Sequence, residues 1–282
     1  MMIYFTENDI DRLIEDDVPV GDMTSNLLLF EKQRGRITLL TRHDMVVCCT
    51  EEAERMYRKT GLEVTYIVPS GIVLKQGEKM LEAEGDARML HLVWRSGLSM
   101  IEFASGIATR TRQLVEAVRA VTDDVPVAGT RKHPPYLKKI ALKALLAGGG
   151  EPHRTGLSDT ILIFREHLLF TGGYDKLHEV VASIKKKQKE WKIVVEAHTI
   201  EEAKKVAASG ADVVQMDKLS PSDFTRCKTE CRELNFGVTV IAAGGVNGAN
   251  AAEYAEAGAD VLVTSWMYFA PPADIQVLVE KA

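Results

Sequence analysis

In the second half of this 282-residue chain, ionisable residues of both signs recur where short apolar runs end. Cations come first: VPVAG runs into Thr130-Arg131-Lys132, and His153-Arg154 follows the glycine run 148–150. Carboxylates come next, with KIVV ending in Glu196 and DVVQM in Asp217. Arg grips a carboxylate or phosphate through two parallel hydrogen bonds, and Lys adds a mobile point charge. The first group therefore suits a substrate with several negative charges. Two carboxylates at adjacent strand ends suit Mg2+ that also holds a diphosphate, or else a salt bridge to a cation across the mouth. TVIAA leads into Gly244-Gly245-Val246-Asn247, where glycine permits close approach and amides at a helix start favour a phosphate. DVLV ends in Thr264-Ser265, and TILI alone ends in an apolar residue, Phe164, followed by Arg165.

These residues need a scaffold that gathers strand ends. Amphipathic helix patterns lie between the runs, and strand, polar end, helix, repeated, is how a parallel α/β barrel builds a site at its carboxyl-end face. The stretch EEAKKVAASGADVVQMD is echoed by ANAAEYAEAGADVLVTS. In each, a glycine (Gly210, Gly258) ends a helix just before a buried strand, and this echo favours the barrel. Thr199 with Glu202, and Ser220-Pro221 with Asp223, are helix start signals, and a further helix is expected over 135–147, ending at Gly148. Six strands between 125 and 265 fall short of the eight of a closed barrel, so an incomplete barrel is expected. A doubly wound open sheet, binding at a topological switch point, is the competing architecture.

The first part of the chain reads differently. RITLLTR, MVVCC, EVTYIVPS and KMLEAEG read as strands and EEAERMYRK as a helix, an α+β unit with local strand pairing. A long helical stretch over 92–121 follows, in which Gly97 and Gly106 leave room for two helices. A net charge of −5 argues against general nucleic-acid or membrane-surface binding. The acidic opening segment lacks a secretory signal and no apolar run approaches a membrane span, so a cytoplasmic enzyme is expected. Cys48 and Cys49 read as buried. Cys227 and Cys231, four apart on a helix face, lack the second ligand pair that a metal site needs. Lys185-Lys186-Lys187 closes a helix, where cations offset the macrodipole.

Several motifs in order resemble the quinolinate phosphoribosyltransferase family: EDDVPVGDMTS, SGIATRT, TRKHPPYLKK and GGGEPHRTGLSDTILI, then the Glu196, Asp217 and Gly-Gly strand ends. The resemblance implies an N-terminal α+β sandwich domain over 1–106, to which a tail at 267–282 can return, and an incomplete parallel α/β (TIM-like) barrel over 107–266. It implies transfer of phosphoribosyl from 5-phosphoribosyl-1-diphosphate to an acidic pyridine acceptor, with Mg2+, in a homodimer whose subunits share sites. Carried over, Arg131, His153, Arg154 and a partner-donated Arg95 face the acceptor, and Lys132 reaches both substrates. Glu196 and Asp217 serve metal and ribose, and Gly244, Gly245 and Ser265 the phosphoribosyl end.

The chain departs from that pattern at chosen places. Phe164 stands where the family has a lysine, Arg165 where it has an aspartate, and Trp94, Ser99, Pro152, Ala243 and Ser265 replace a Glu, an Asn, an Asn, a Ser and a Gly. This pattern resembles a paralogous branch associated with molybdenum transport. An uncompensated carboxylate is costly to bury, so loss of the lysine points to an acceptor other than quinolinate, unless Arg165 restores the charge. The rival expectation is a non-catalytic anion-binding or regulatory protein linked to molybdenum transport.

Overall fold

The computed structural model describes residues 2–28 and 33–282. It divides into two compact units, one of Met1–Arg112, His133–Gly149 and Met267–Ala282, the other of Gln113–Lys132 and Gly150–Trp266.

The first unit is built on an antiparallel sheet. Its strands are β1 (Arg34–Thr41), β3 (Glu63–Ile67), β5 (Lys79–Asp86) and the carboxyl-terminal strand Ile275–Lys281, which pairs with β1 along its whole length. Alternation along β1 buries Ile37 and Leu39 on one face, as a half-buried sheet requires. A separate two-stranded ladder joins β2 (Met45–Val46) to β4 (Val73–Leu74). The run MVVCC is thus a strand only at its start. The Cys48 amide donates to Ser105 Oγ and the Cys49 amide to Ser70 Oγ, so side chains take the donors a longer ladder would use. Cys49 then enters the left-handed region at φ 66° and leads into the helix Thr50–Lys59.

The long helical stretch is one helix, Ala87–Arg119, and neither glycine breaks it. Both lie where a neighbour leaves no room for a Cβ. At Gly97 it would come 3.0 Å from the Tyr57 ring, and at Gly106 it would overlap the Pro271 carbonyl. Each glycine costs the helix about 1 kcal/mol relative to alanine, and close packing is the reason to keep it. The next helix starts at Lys138 rather than 135, because Pro134-Pro135 and Tyr136 at φ 64° precede it.

The second unit is a curled half-barrel of seven parallel strands. They are β6 (Val127–Gly129), β7 (Glu151–Pro152), β8 (Ile161–Ile163), β9 (Ile193–Ala197), β10 (Val213–Asp217), β11 (Thr239–Ala243) and β12 (Val261–Thr264). The very short β7, beside β6, is the strand missed from the sequence. Spatial order is β7-β6-β12-β11-β10-β9-β8. From β8 to β12 and on to β6 and β7 the sheet winds in one direction. It never reverses as a doubly wound sheet does, and it stays open between β7 and β8. Inward side chains fill the half-barrel with Ala128, Val194, Val213, Ile241, Ala243 and Val263. Thr199 and Ser220 cap their helices by accepting the Glu202 and Asp223 amides. No helix among the described residues is long and apolar enough to cross a membrane.

Candidate active site

The half-barrel's inward face changes character along each strand. In β9, Val194 belongs to the core and Glu196, two residues on, does not; in β10 the sequence is Val213, Gln215, Asp217. Because side chains alternate with period two, these polar groups stand in line above the core. They line a cavity of about 210 Å³ at the carboxyl ends of the strands.

One wall is cationic. Arg131 and Lys132 follow β6, and the Lys132 amide donates to Thr130 Oγ1 at 3.1 Å. The His153 amide donates to the Gly129 carbonyl, tying the His153-Arg154 segment to the end of β6. Arg154 is only 7% exposed. Its Nη2 donates to the carbonyls of Leu157 and Thr160, while Nε has no partner. Burial and the neighbouring Arg131 charge weaken its hold on its proton. Among the described residues, no carboxylate forms an ion pair with Arg131, Lys132 or Arg154. Asp159 offsets part of that weakening without forming an ion pair, and a buried guanidinium hydrogen-bonded to carbonyls alone among the described residues suits an anion. Burial, then Arg154, lowers the His153 pKa, so it is a neutral hydrogen-bonding imidazole at pH 7 rather than a fourth cation.

The opposite wall is acidic. Glu196 and Asp217 end β9 and β10, and the His198 ring lies between them, Nε2 3.4 Å from Glu196 Oε1 and Nδ1 3.5 Å from Asp217 Oδ2. Gln215 Nε2 donates to Glu196 Oε2 at 3.1 Å, and the Tyr174 hydroxyl donates to the Glu196 carbonyl at 2.9 Å. Burial first, then the Asp217 charge, raises the Glu196 pKa. Two carboxylates that repel one another in a half-buried site form an electrostatic position for a cation. No set of three His, Cys, Asp or Glu side chains among the described residues is placed to hold a metal. Mg2+ is commonly held by one or two carboxylates with the remaining oxygens from water and phosphates, so this pair fits Mg2+ that arrives with a diphosphate.

Gly244 and Gly245, at φ 73° and 88°, line the cavity, as does Ser265. A Cβ on Gly244 would overlap the Asp217 carboxylate, so glycine is what lets the loop and the acid meet. The following helix, Ala251–Glu256, starts too late to offer its amides beside this turn. Asn247 and Asn250 instead organise residues 245–250, both side-chain amides donating to the Gly245 carbonyl.

Phe164 lines the cavity and stacks on His167, ring centroids 5.8 Å apart and planes 17° from parallel. Arg165 does not line it. Strand alternation turns Leu162 and Phe164 inward, and Arg165, itself exposed, opens a four-residue helix. Its charge is felt at Tyr174, behind Glu196, rather than at the position beside Phe164 where the family's lysine stands. Arg95 lies in the first unit and lines a different cavity, with Asp16, Asp17 and Ser99. Cys227 and Cys231 are buried free thiols on one helix face. Gln215, His198 and Tyr174 were missed from the sequence. The first two stand two residues from an expected acid, so the period-two rule would have found them; Tyr174 carries no such signal.

The N-terminal domain model of quinolinate phosphoribosyl transferase matches residues 22–105, and the C-terminal domain model matches residues 107–278. A Rhodobacter capsulatus protein named as a pyrophosphorylase ModD is 37% identical over 251 residues, covering 89% of this chain and 96% of its own. The Pasteurella multocida protein of that name is 31% identical over 280 residues, covering 99% of each. Among solved structures, the nicotinate-nucleotide pyrophosphorylase of Ehrlichia chaffeensis superposes with a TM-score of 0.88 at 24% identity, over 99% of this chain and 100% of that one. At that identity the likeness is one of fold.

Proposed function

This chain belongs to the quinolinate phosphoribosyltransferase family, and we propose that it transfers phosphoribosyl from phosphoribosyl diphosphate to an acidic heteroaromatic acceptor other than quinolinate. The observation that carries this reading is the division of one cavity into a wall of cations with no ion-pair partner among the described residues and a wall holding Glu196 and Asp217. Opposed charges that do not meet each other suit a ligand that is anionic at one end and metal-bearing at the other.

In this reading Arg131 and Arg154 orient the acceptor's carboxylate, with His153 as a neutral hydrogen-bonding partner. Lys132 stabilises the charge that grows on diphosphate as the anomeric carbon becomes oxocarbenium-like. Glu196 and Asp217 would hold Mg2+, which when bound neutralises diphosphate charge. Gly244 and Gly245 let backbone approach the 5-phosphate, and Ser265 completes that end. A second copy of the chain lends Arg95 to the acceptor.

Support for a changed acceptor comes from Phe164. An apolar ring in place of a cation leaves a second carboxylate without a counter-charge, a costly arrangement in a partly buried site. Calorimetry with phosphoribosyl diphosphate and Mg2+ tests the reading: saturable binding is expected, and no binding at millimolar ligand overturns it. Rapid formation of nicotinate mononucleotide from quinolinate would overturn the changed acceptor alone.

A further inference from the structure

Gln215 sits in the cavity wall at 6% exposure, and its two amide atoms have different fates. Nε2 donates to Glu196 Oε2 at 3.1 Å, whereas Oε1 is buried and has no hydrogen-bond partner. The carboxylate fixes which atom is which, because turning the amide over would set oxygen against oxygen. An amide acceptor left unpaired inside a protein is costly to the ligand-free fold, and such a group is satisfied by whatever binds there.

The surroundings narrow that ligand's chemistry. Gln215 is in register with Glu196, and Ile163 is in register with Val195, so Phe164 comes to the same level of the half-barrel as Gln215. Below lie the apolar side chains Val194, Val213 and Leu162. This level of the cavity thus has an aromatic face, and the Gln215 amide in its wall keeps one buried oxygen unpaired. A second carboxylate at this position would meet Gln215 Oε1 by repulsion. An N–H or O–H donor would meet it by a hydrogen bond.

We propose that Gln215 is a specificity-determining residue whose Oε1 accepts a hydrogen bond from an N–H of the acceptor, which is a planar heteroaromatic acid carrying an amide, amino or ring N–H. This rests on the phosphoribosyl-transfer reading and deepens it. A ribose hydroxyl could supply the same donor chemistry, and the test separates the two sources.

The probes are phosphoribosyl diphosphate with Mg2+, pyridine-2,3-dicarboxylate, and the same ring with its 2-carboxylate replaced by carboxamide. Wild type is expected to bind the carboxamide roughly ten- to a hundredfold more tightly than the diacid. Gln215→Met, close in shape but lacking the oxygen, should erase that preference while still binding phosphoribosyl diphosphate. Glu196→Ala, which removes the group held by Nε2 but leaves Gln215 Oε1, should retain it, and a role confined to holding Glu196 would predict its loss. Wild-type preference for the diacid, or equal preference in wild type and Gln215→Met, overturns the proposal. Weakened phosphoribosyl diphosphate binding in Gln215→Met with the acceptor preference unchanged assigns the donor to ribose and overturns the acceptor N–H. Wild type that binds no phosphoribosyl diphosphate yet shows the Gln215-dependent carboxamide preference overturns the phosphoribosyl reading but leaves this inference standing.

Discussion

The two ends of the half-barrel carry acidic residues in equivalent positions but treat them in opposite ways. At the amino end, Asp212 and Asp260 each precede a strand and reach across to its neighbour. Asp212 Oδ2 accepts the Ile193 amide and Asp260 Oδ2 the Val240 amide, both at 2.7 Å. Cations complete each group: Lys185 pairs with Asp212, and Lys228 and Arg232 with Asp260. At the carboxyl end, Glu196 and Asp217 face one another across His198, while Arg131, Lys132 and Arg154 across the cavity have no ion-pair partner among the described residues. One end uses its charges to close the fold on itself, and the other holds them apart for something that is not protein. The repeated Gly-Ala-Asp element follows from this: the aspartate stitches neighbouring strand starts together and takes no part in the chemistry.

The contrast can be broken from either side. The largest effect is expected at the carboxyl end. Lys132→Ala, at an exposed position, should slow diphosphate release by about a thousandfold while leaving the unfolding midpoint nearly unchanged. Steady-state rates beside a thermal melt check both halves. The next is its mirror. Asp260→Ala should cost about 2–3 kcal/mol in denaturant unfolding, because a backbone amide and two cations lose their partner. Affinity for phosphoribosyl diphosphate should not change, and a parallel loss of binding would break the division between the two ends.

The smallest effect on stability is also the most diagnostic. The raised Glu196 pKa means that the folded protein holds this proton more tightly than the unfolded chain does. Its contribution to stability is therefore present at low pH and is lost as pH rises through the folded pKa. Glu196→Gln should raise the melting midpoint of the ligand-free protein at pH 7 and remove that part of its pH dependence. It should also abolish Mg2+-dependent binding. In wild type, that binding should fade on acidification at a higher pH than an ordinary carboxylate would require. A midpoint that drops in Glu196→Gln would mean that Glu196 stabilises the fold, as Asp260 does.

Much of the site was legible because parallel strands carry a strong local signal. Glu196, Asp217, Lys132 and Gly244 each follow an apolar run, and the period-two rule assigns Glu196 and Asp217 to the inward face. Gln215 was hidden inside such a run, where an amide flanked by Val214 and Met216 passes for part of the strand. The direction of Arg165 depends on where the strand ends, and alternation from Leu162 and Phe164 turns it away from the cavity lining. Local propensity makes Gly97 and Gly106 possible breaks, and it carries no information about Tyr57 or Pro271, which pack against them.

By itself the sequence determined the strand ends, the helix caps, the family motifs and the order of the parallel units. All of these depend on neighbours within a few residues, or on a repeat that the chain itself displays. Tertiary structure alone decided that β6 closes against β12 and that Arg154 is buried with no ion-paired carboxylate among the described residues. It also decided that Gly244 makes room for Asp217 and that Gln215 is left with a bare oxygen. Those outcomes depend on distances between residues tens of positions apart, and burial turns such distances into free energy.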